Sequence, residues 1–273
     1  MKRALQDVVF ASEKRKNVLL LLQDGPKKMD TLLDAVDTNR PALLPQLRIL
    51  EEHHLIDHYD DTYELTTMGK LVIDETAPSI ELMEFLDTNI DYWGTRNLDF
   101  IPSILLSRIK ELGNCRIVNP TVTELHEMDK EFSRAAEQSE SLYGVTNYFH
   151  PNFPGLFSKM AEKGLKVHFI LSEDLADKLH SENYGDFNKL LKNNLFSFSV
   201  YPGKLNVMSF MFHDNHLMMH MLDKKEKFDN KYILCENEEA IYWANELFEY
   251  YEQKSRPISE HIKPDLASEP LKT

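Results

Sequence analysis

Three imidazoles fall within eight residues, at His213, His216 and His220, and imidazole is a common ligand for zinc and related ions. Spacings of three and four would align them on a helix. Phe210, Met211, Phe212 and Leu217, Met218, Met219 surround them with a strand-like composition, in which odd and even positions face opposite ways. The group therefore reads as a mix of edge and core histidines, and no metal is expected. The nine glycines are scattered singly, so no phosphate-cradling loop is visible and no cofactor is expected. His126-Glu127 lacks a second histidine, and no Gly-x-Ser-x-Gly elbow occurs, so no catalytic residue can be named and the chain does not read as an enzyme. What remains is a set of polar and basic residues near the amino end. Asn39, Arg40, Gln46 and Arg48 cluster within ten residues, with Lys14, Arg15 and Lys16 upstream and His58 downstream. Guanidinium, ammonium and amide groups bond phosphates and base edges, so Asn39, Arg40, Gln46, Arg48, Lys14 and His58 are candidate contacts for double-stranded DNA.

The elements needed to present such residues can be read around them. Residues 4–22 suggest a helix, broken near Ser12 and ended by Asp24-Gly25-Pro26, since glycine caps a helix and proline cannot continue one. A short amphipathic helix follows over about 28–36 (Met29, Leu32, Leu33, Val36). After the break at Asp37-Thr38-Asn39 comes a second, with Leu43, Leu47 and Leu50 on one face and Pro45, Arg48 and Glu52 opposite. That face is where a major groove would lie. Pro41 and Pro45 leave two readings, a helix starting near Leu44 or one started by Pro41 and bent at Pro45. Ile56–Tyr59 and Thr62–Leu65 read as a hairpin across Asp60-Asp61. Thr67 reads as the cap of a helix to about Thr76, punctuated by Pro78. The order is that of a winged helix-turn-helix.

Beyond it, a helix over 79–93 carries Met83, Leu86, Ile90 and Trp93, a seam that would suit a homodimer contact. From Phe100 strands and helices alternate. Strands are predicted near 115–118, 142–145, 166–171, 196–201, 207–213, 216–222 and 232–234. Helices are predicted over 101–112, 124–138, 154–163, 174–180, 184–193 and 238–252. This spacing predicts an α/β domain with a mainly parallel sheet and an antiparallel hairpin at one edge. The expected division is 1–77 as winged helix-turn-helix, 78–99 as linker helix, 100–254 as α/β regulatory domain and 255–273 as a disordered tail.

Composition bounds these readings. A hydrophobic share of 42 % with 28 % charged residues is that of a soluble globular protein. No apolar run approaches a membrane span and no secretory signal is seen, so a cytoplasmic setting is expected. The formal net charge is −14, and residues 1–75 hold 10 Lys and Arg against 14 Asp and Glu. Any attraction for phosphate must therefore come from a local face. The hairpin works against it, carrying Asp57, Asp60, Asp61 and Glu64 with His58 as its one potential cation. The two cysteines, Cys115 and Cys235, support neither a disulfide framework nor a thiolate zinc site and read as buried, inert thiols.

Three blocks carry a resemblance. They are Tyr63-x-Leu65-Thr66-x-x-Gly69-Lys70, the stretch Leu98–Leu112, and Trp243-Ala244-Asn245-Glu246-Leu247-Phe248-Glu249-Tyr250-Tyr251. Together they make the chain resemble the archaeal methanogenesis and filamentation regulators. The resemblance implies a DNA-binding transcriptional regulator whose larger domain has a phospholipase-D-like fold without that enzyme's chemistry. Consistent with this, the one His-x-Lys, His261-Ile262-Lys263, has Ser268 where an acidic residue would stand. A homodimer with a small-molecule effector is the leading expectation. A winged-helix protein-interaction module is the alternative.

Overall fold

The computed structural model describes residues 3–258 except 122–123, 125–128, 150–152 and 183. The chain divides into two compact units, residues 1–84 and 85–273. Among the described residues no helix is long and apolar enough to cross a membrane.

The first unit begins with α1 (Leu5–Phe10) and α2 (Glu13–Leu21), broken at Ser12 as expected. The Ser12 side chain accepts from the Arg15 amide and so caps α2. A two-residue strand β1 (Lys27–Lys28) precedes α3 (Met29–Ala35), and α4 (Arg40–Glu52) follows after a short turn. Of the two readings of the prolines, the longer helix is the one present. Asn39 caps it through a 3.0 Å bond from the Ala42 amide, Pro41 lies in the first turn, and Pro45 sits inside on the exposed face. There the carbonyl left without a partner by Pro45 can meet water. Strands β2 (Ile56–Tyr59) and β3 (Thr62–Leu65) form the hairpin, with Asp60 and Asp61 both at positive φ, the requirement of a tight two-residue turn of type I′. β1 adds to β3, giving the order β1-β3-β2. Sequence periodicity could not register so short a strand.

Two corrections concern α5. Its cap is Thr66 rather than Thr67: the Thr66 hydroxyl accepts from the Gly69 amide at 2.9 Å and donates to the His54 carbonyl at 2.6 Å. The helix then runs unbroken from Thr67 to Asp87. Pro78 is exposed, while the buried face continues through Ile73, Ala77 and Ile80, so packing holds the helix past the proline. Gly69 is required by close approach, because a Cβ there would lie 1.9 Å from the Leu55 carbonyl oxygen. The core of this unit gathers Val18, Leu19, Leu32, Leu43, Leu47, Leu50 and Ile73 from all the longer helices. A separate α6 (Ile90–Trp93) carries the rest of the predicted seam. Met83 and Ile90 are exposed but Trp93 is buried with its ring 5.0 Å from Phe85, so the four residues form no single stripe.

In the second unit α7 (Ser103–Leu106) and a 3₁₀ turn lead to β4 (Arg116–Val118) and α8 (Lys130–Ala136). Then come β5 (Ser141–Thr146), α9 (Phe153–Glu162), β6 (Lys166–Ser172), α10 (Glu173–Glu182), α11 (Tyr184–Leu191) and β7 (Phe196–Tyr201). β8 (Val207–Phe212), β9 (Leu217–Met221), β10 (Tyr232–Cys235), α12 (Glu238–Glu252) and β11 (Arg256–Pro257) complete it. Of the helix predicted over 124–138, residues 125–128 lie outside the described ones, 124 and 129 are not helical, and α8 starts at Lys130 with Asp129 as its cap. The eight strands run β11-β7-β6-β5-β8-β9-β10-β4, parallel only within β7-β6-β5. The sheet is thus mainly antiparallel, and the β8–β9 hairpin lies inside it, not at an edge. The cause is connection length: helices return the chain between β5, β6 and β7, whereas the links from β8 to β10 hold no helix and turn directly into antiparallel neighbours. Part of the predicted tail is also structured, since Arg256-Pro257 pairs with β7; residues 259–273 lie outside the described ones.

Phe132, Phe157, Phe169 and Leu171 pack within one cluster on the sheet. α12 covers other ground, with Phe248 against Tyr143 and Phe212. It is tied to the entry segment by two bonds, from the Trp243 indole to the Leu105 carbonyl (2.9 Å) and from the Tyr251 hydroxyl to the Phe100 carbonyl (2.6 Å). Two of the blocks that carried the resemblance are therefore partners in space.

The cysteine expectation is overturned. Cys115 and Cys235 form a disulfide with their Cα atoms 4.4 Å apart. The register explains it: β4 and β10 pair Val118 with Tyr232, Ile117 with Ile233 and Arg116 with Leu234, so the next pair is Cys115 with Cys235. A separation of 120 residues hid the pairing from the sequence.

Candidate nucleic-acid interface

The face of α4 opposite its buried leucines exposes Arg40, Pro41, Pro45, Arg48 and Glu52. Arg48 stands near the middle of this face. Among the described residues no hydrogen bond or ion pair engages its guanidinium, so its five donors are available to a partner.

The other predicted residues are more committed. Arg40, at the first position of α4, is paired with Asp61 at the tip of the hairpin. Both are about half exposed, so the pair contributes little stability, but it places a carboxylate against the cation expected to meet a phosphate. The Asn39 side-chain oxygen Oδ1 is used as the helix cap, accepting from the Ala42 amide. Gln46 turns inward, its oxygen accepting from Arg15 at 2.7 Å and from Ser12 at 3.4 Å. Lys14 donates to the Thr38 hydroxyl at 2.9 Å, in the turn between α3 and α4. His58 meets Glu51 and stacks on Tyr63 at 5.3 Å between ring centroids.

The basic triplet on α2 is not a patch. Arg15 is only 3 % exposed and bonds the carbonyls of Val8 (2.6 Å) and Asp7 (3.0 Å) as well as Gln46. It closes off the last turn of α1, and burial, with Arg3 nearby, lowers its pKa. Lys16 lies 2.8 Å from Glu13 and 3.1 Å from Glu84, and the hydrogen bond to Glu13 does most to raise its pKa, against desolvation. Two cations were missed. Lys28 is exposed on β1 opposite Thr62, beside the turn where the Met29 amide bonds the Asp61 carbonyl. Lys70 is exposed in the first turn of α5. The pattern Lys27-Lys28-Met29 hinted at the first only once β1 is known to exist.

The hairpin is electrostatically adverse to phosphate, with Asp57 directly opposite Glu64 in the ladder and Asp60 and Asp61 exposed at its tip. Arg48, Lys28 and Lys70 are exposed cations of this unit, and Lys28 lies on the strand paired with the hairpin.

Among the described residues the three histidines do not share one ion site, although the His213 and His216 rings lie 5.2 Å apart between centroids. His213 is buried, within 3.0 Å of the Ser139 hydroxyl and with its ring against Phe132. Burial pushes its pKa down to about 4. His216 instead lies with Glu131 and Glu236, whose potential ligand atoms are within 4.8 Å of one another, although Glu131 is bonded to Arg116 at 2.5 Å. His220 faces Ser209, Phe228 and Tyr232.

Residues 125–254 match the family described as the methanogenesis regulatory protein FilR1, middle domain. Residues 4–87 match the family described as the HVO_A0261 N-terminal domain. The chain is 23 % identical over 280 aligned residues to the methanogenesis regulatory protein FilR1 of Methanothrix harundinacea (strain 6Ac), an alignment that takes in 96 % of this chain and 62 % of that protein. The chain thus spans less than two thirds of the curated relative it matches. Among solved structures it is similar to TrmBL2, described as an archaeal chromatin protein with a novel mode of DNA binding. That likeness has a TM-score of 0.41 and 13 % identity, over 90 % of this chain and 93 % of that one. A second similar structure, phosphatidylserine synthase of Haemophilus influenzae Rd KW20, has a TM-score of 0.34 and 9 % identity over 44 % of this chain and 34 % of that one. The resemblance to the methanogenesis regulators, expected from three sequence blocks, therefore extends along nearly the whole chain.

Proposed function

We propose that this chain is a sequence-specific DNA-binding transcriptional regulator of the methanogenesis-regulator type, with α4 as its recognition helix. The observation that carries the reading is Arg48, exposed and, among the described residues, unpaired in the middle of the helix that follows the turn, on the face opposite Leu43, Leu47 and Leu50. A guanidinium so placed reaches a guanine edge or a phosphate. Binding as a homodimer to a palindromic or repeated site in a cytoplasmic setting completes the proposal. The larger unit is read as a phospholipase-D-like, non-catalytic domain that senses an effector. Supporting that reading, His261-Ile262-Lys263 is followed by Ser268, not by an acidic residue.

A gel-shift series with DNA from upstream of the chain's own gene tests it. Wild-type protein should retain a specific fragment, and Arg48→Ala should weaken that complex by about 1–3 kcal/mol with loss of discrimination. Equal affinity for Arg48→Ala across salt concentrations would sink α4 as the recognition element.

One observation favours a second reading, a protein-interaction module. The acidic hairpin holds Arg40, and Gln46 is turned away from the exposed face. Failure to retain any fragment at low salt, where phosphate attraction is strongest, would favour it.

A further inference from the structure

On the sheet of the second unit, beside β8, β9 and β10, lies a cavity of about 620 Å³, within the size range of small-molecule sites. Met211 and Met218 form part of its wall from neighbouring strands, with Phe153 and Leu156 of α9. Methionine adapts its shape and its sulfur packs well on aromatic rings, so this wall suits a ring system.

Three uncharged polar groups of the wall come from β8, β9 and β10, namely Ser209, His220 and Tyr232, and Asn119, Tyr148 and Asn230 line it as well. Ser209 lies 3.4 Å from His220 Nδ1, and the imidazole packs on Tyr232 with ring centroids 4.8 Å apart. The Tyr232 hydroxyl donates to Asp129 at 2.7 Å, so that oxygen has only lone pairs left to offer. Asp129 also caps α8 by accepting from the Glu131 and Phe132 amides, which holds the Tyr232–Asp129 pair in place. Burial keeps the His220 imidazole neutral, with its pKa pushed down to about 4. The charged groups of the wall are Arg116 and Lys130 against Glu124, Asp129 and Glu131, with Arg116 already on Glu131. An anion entering would meet a carboxylate excess and no uncommitted guanidinium.

We propose that this cavity binds an uncharged, ring-bearing small molecule presenting one O–H or N–H donor, with its rings on Met211 and Met218 and its donor on Tyr232 or His220. The site deepens the effector-sensing part of the proposed function and rests on it only for any link to DNA. Binding is measured without DNA, so the two can fail separately.

The test is a fluorescence titration of the full chain with N-phenyl-1-naphthylamine, a neutral probe carrying rings and one N–H. The matched anion is 8-anilino-1-naphthalenesulfonate. The neutral probe should bind one equivalent and at least about tenfold more tightly than the sulfonate. Met218→Trp should weaken it at least about tenfold by filling the cavity. Met208→Trp, at a less buried lining position, should do the same and decides the matter if the first variant fails to fold. Ile104→Ser, at a position 70 % exposed and not in the wall, should leave binding unchanged. As a competitor, 1-benzylnaphthalene, which lacks the N–H, should displace the probe at least about fivefold less well. Unchanged affinity in a folded tryptophan variant overturns the site. Equal binding of the two probes, or equal competition by the hydrocarbon, overturns the assigned ligand class.

Discussion

The side-chain oxygen of Gln46 accepts a 2.7 Å hydrogen bond from the buried guanidinium of Arg15, so α4 is fastened inward at one residue and presents Arg48 outward two positions later. This single bond divides structural from available polar groups on the helix. Gln46→Ala leaves a buried N–H of a charged group without that acceptor, and about 1–3 kcal/mol of stability should be lost. Urea unfolding followed by circular dichroism measures this. An unmoved midpoint would mean that the bond contributes nothing.

Asp61→Asn should strengthen DNA binding, because it removes the carboxylate that holds Arg40. With one more cation reaching phosphate, the dependence of log Kd on log salt should steepen by about one, while Arg48→Ala should make it shallower by about one. Titrations between about 50 and 200 mM salt distinguish the two. If Asp61→Asn has no effect on slope or affinity, Arg40 does not face the phosphates.

Reduction of the Cys115–Cys235 disulfide, or Cys235→Ser, should destabilise the second unit by about 2–4 kcal/mol, since the bridge closes a loop of 120 residues in sequence. Chemical denaturation with and without reductant is the measurement. The loss should be absent when Cys235→Ser is treated with reductant, and a further loss there would point to another cause.

His220 gives a pH signature. Its folded pKa of about 4 lies below the ordinary 6.5, with burial as the dominant cause and Asp129 opposing it. The unfolded chain therefore takes up a proton that the folded chain refuses as pH falls from 6.5 toward 4. Stability contributed by the neutral ring is present above 6.5 and lost through that window, by at most about 3 kcal/mol. His220→Gln should flatten the stability curve between those values. An identical slope in the variant would refute a neutral His220 imidazole.

The fold of the first unit was largely legible because its evidence was local. Leucines spaced three and four apart, the Asp37-Thr38-Asn39 break and the Asp60-Asp61 turn each act over a few residues, and together they order helix, turn, helix and hairpin. The candidate interface was less legible for the opposite reason. Lys14, Arg15 and Lys16 look alike in sequence, yet only contacts from α1 and α4 decide that Arg15 is buried. The sheet order failed similarly, since nothing near β8 or β9 states that β5 will become a neighbour. The Cys115–Cys235 pair needed the register of β4 on β10, a relation between strands far apart in the chain.

That cross-strand bridge also changes how the molecule answers to force. Residues 115–235 form a covalent ring that contains β4 through β10, while α12 lies outside it. A chain held by its two ends could then yield only the segments outside the ring. In an optical trap the fully extended tether should be roughly 40 nm shorter under oxidising than under reducing buffer, at about 3.3–3.6 Å for each of the 120 residues shielded.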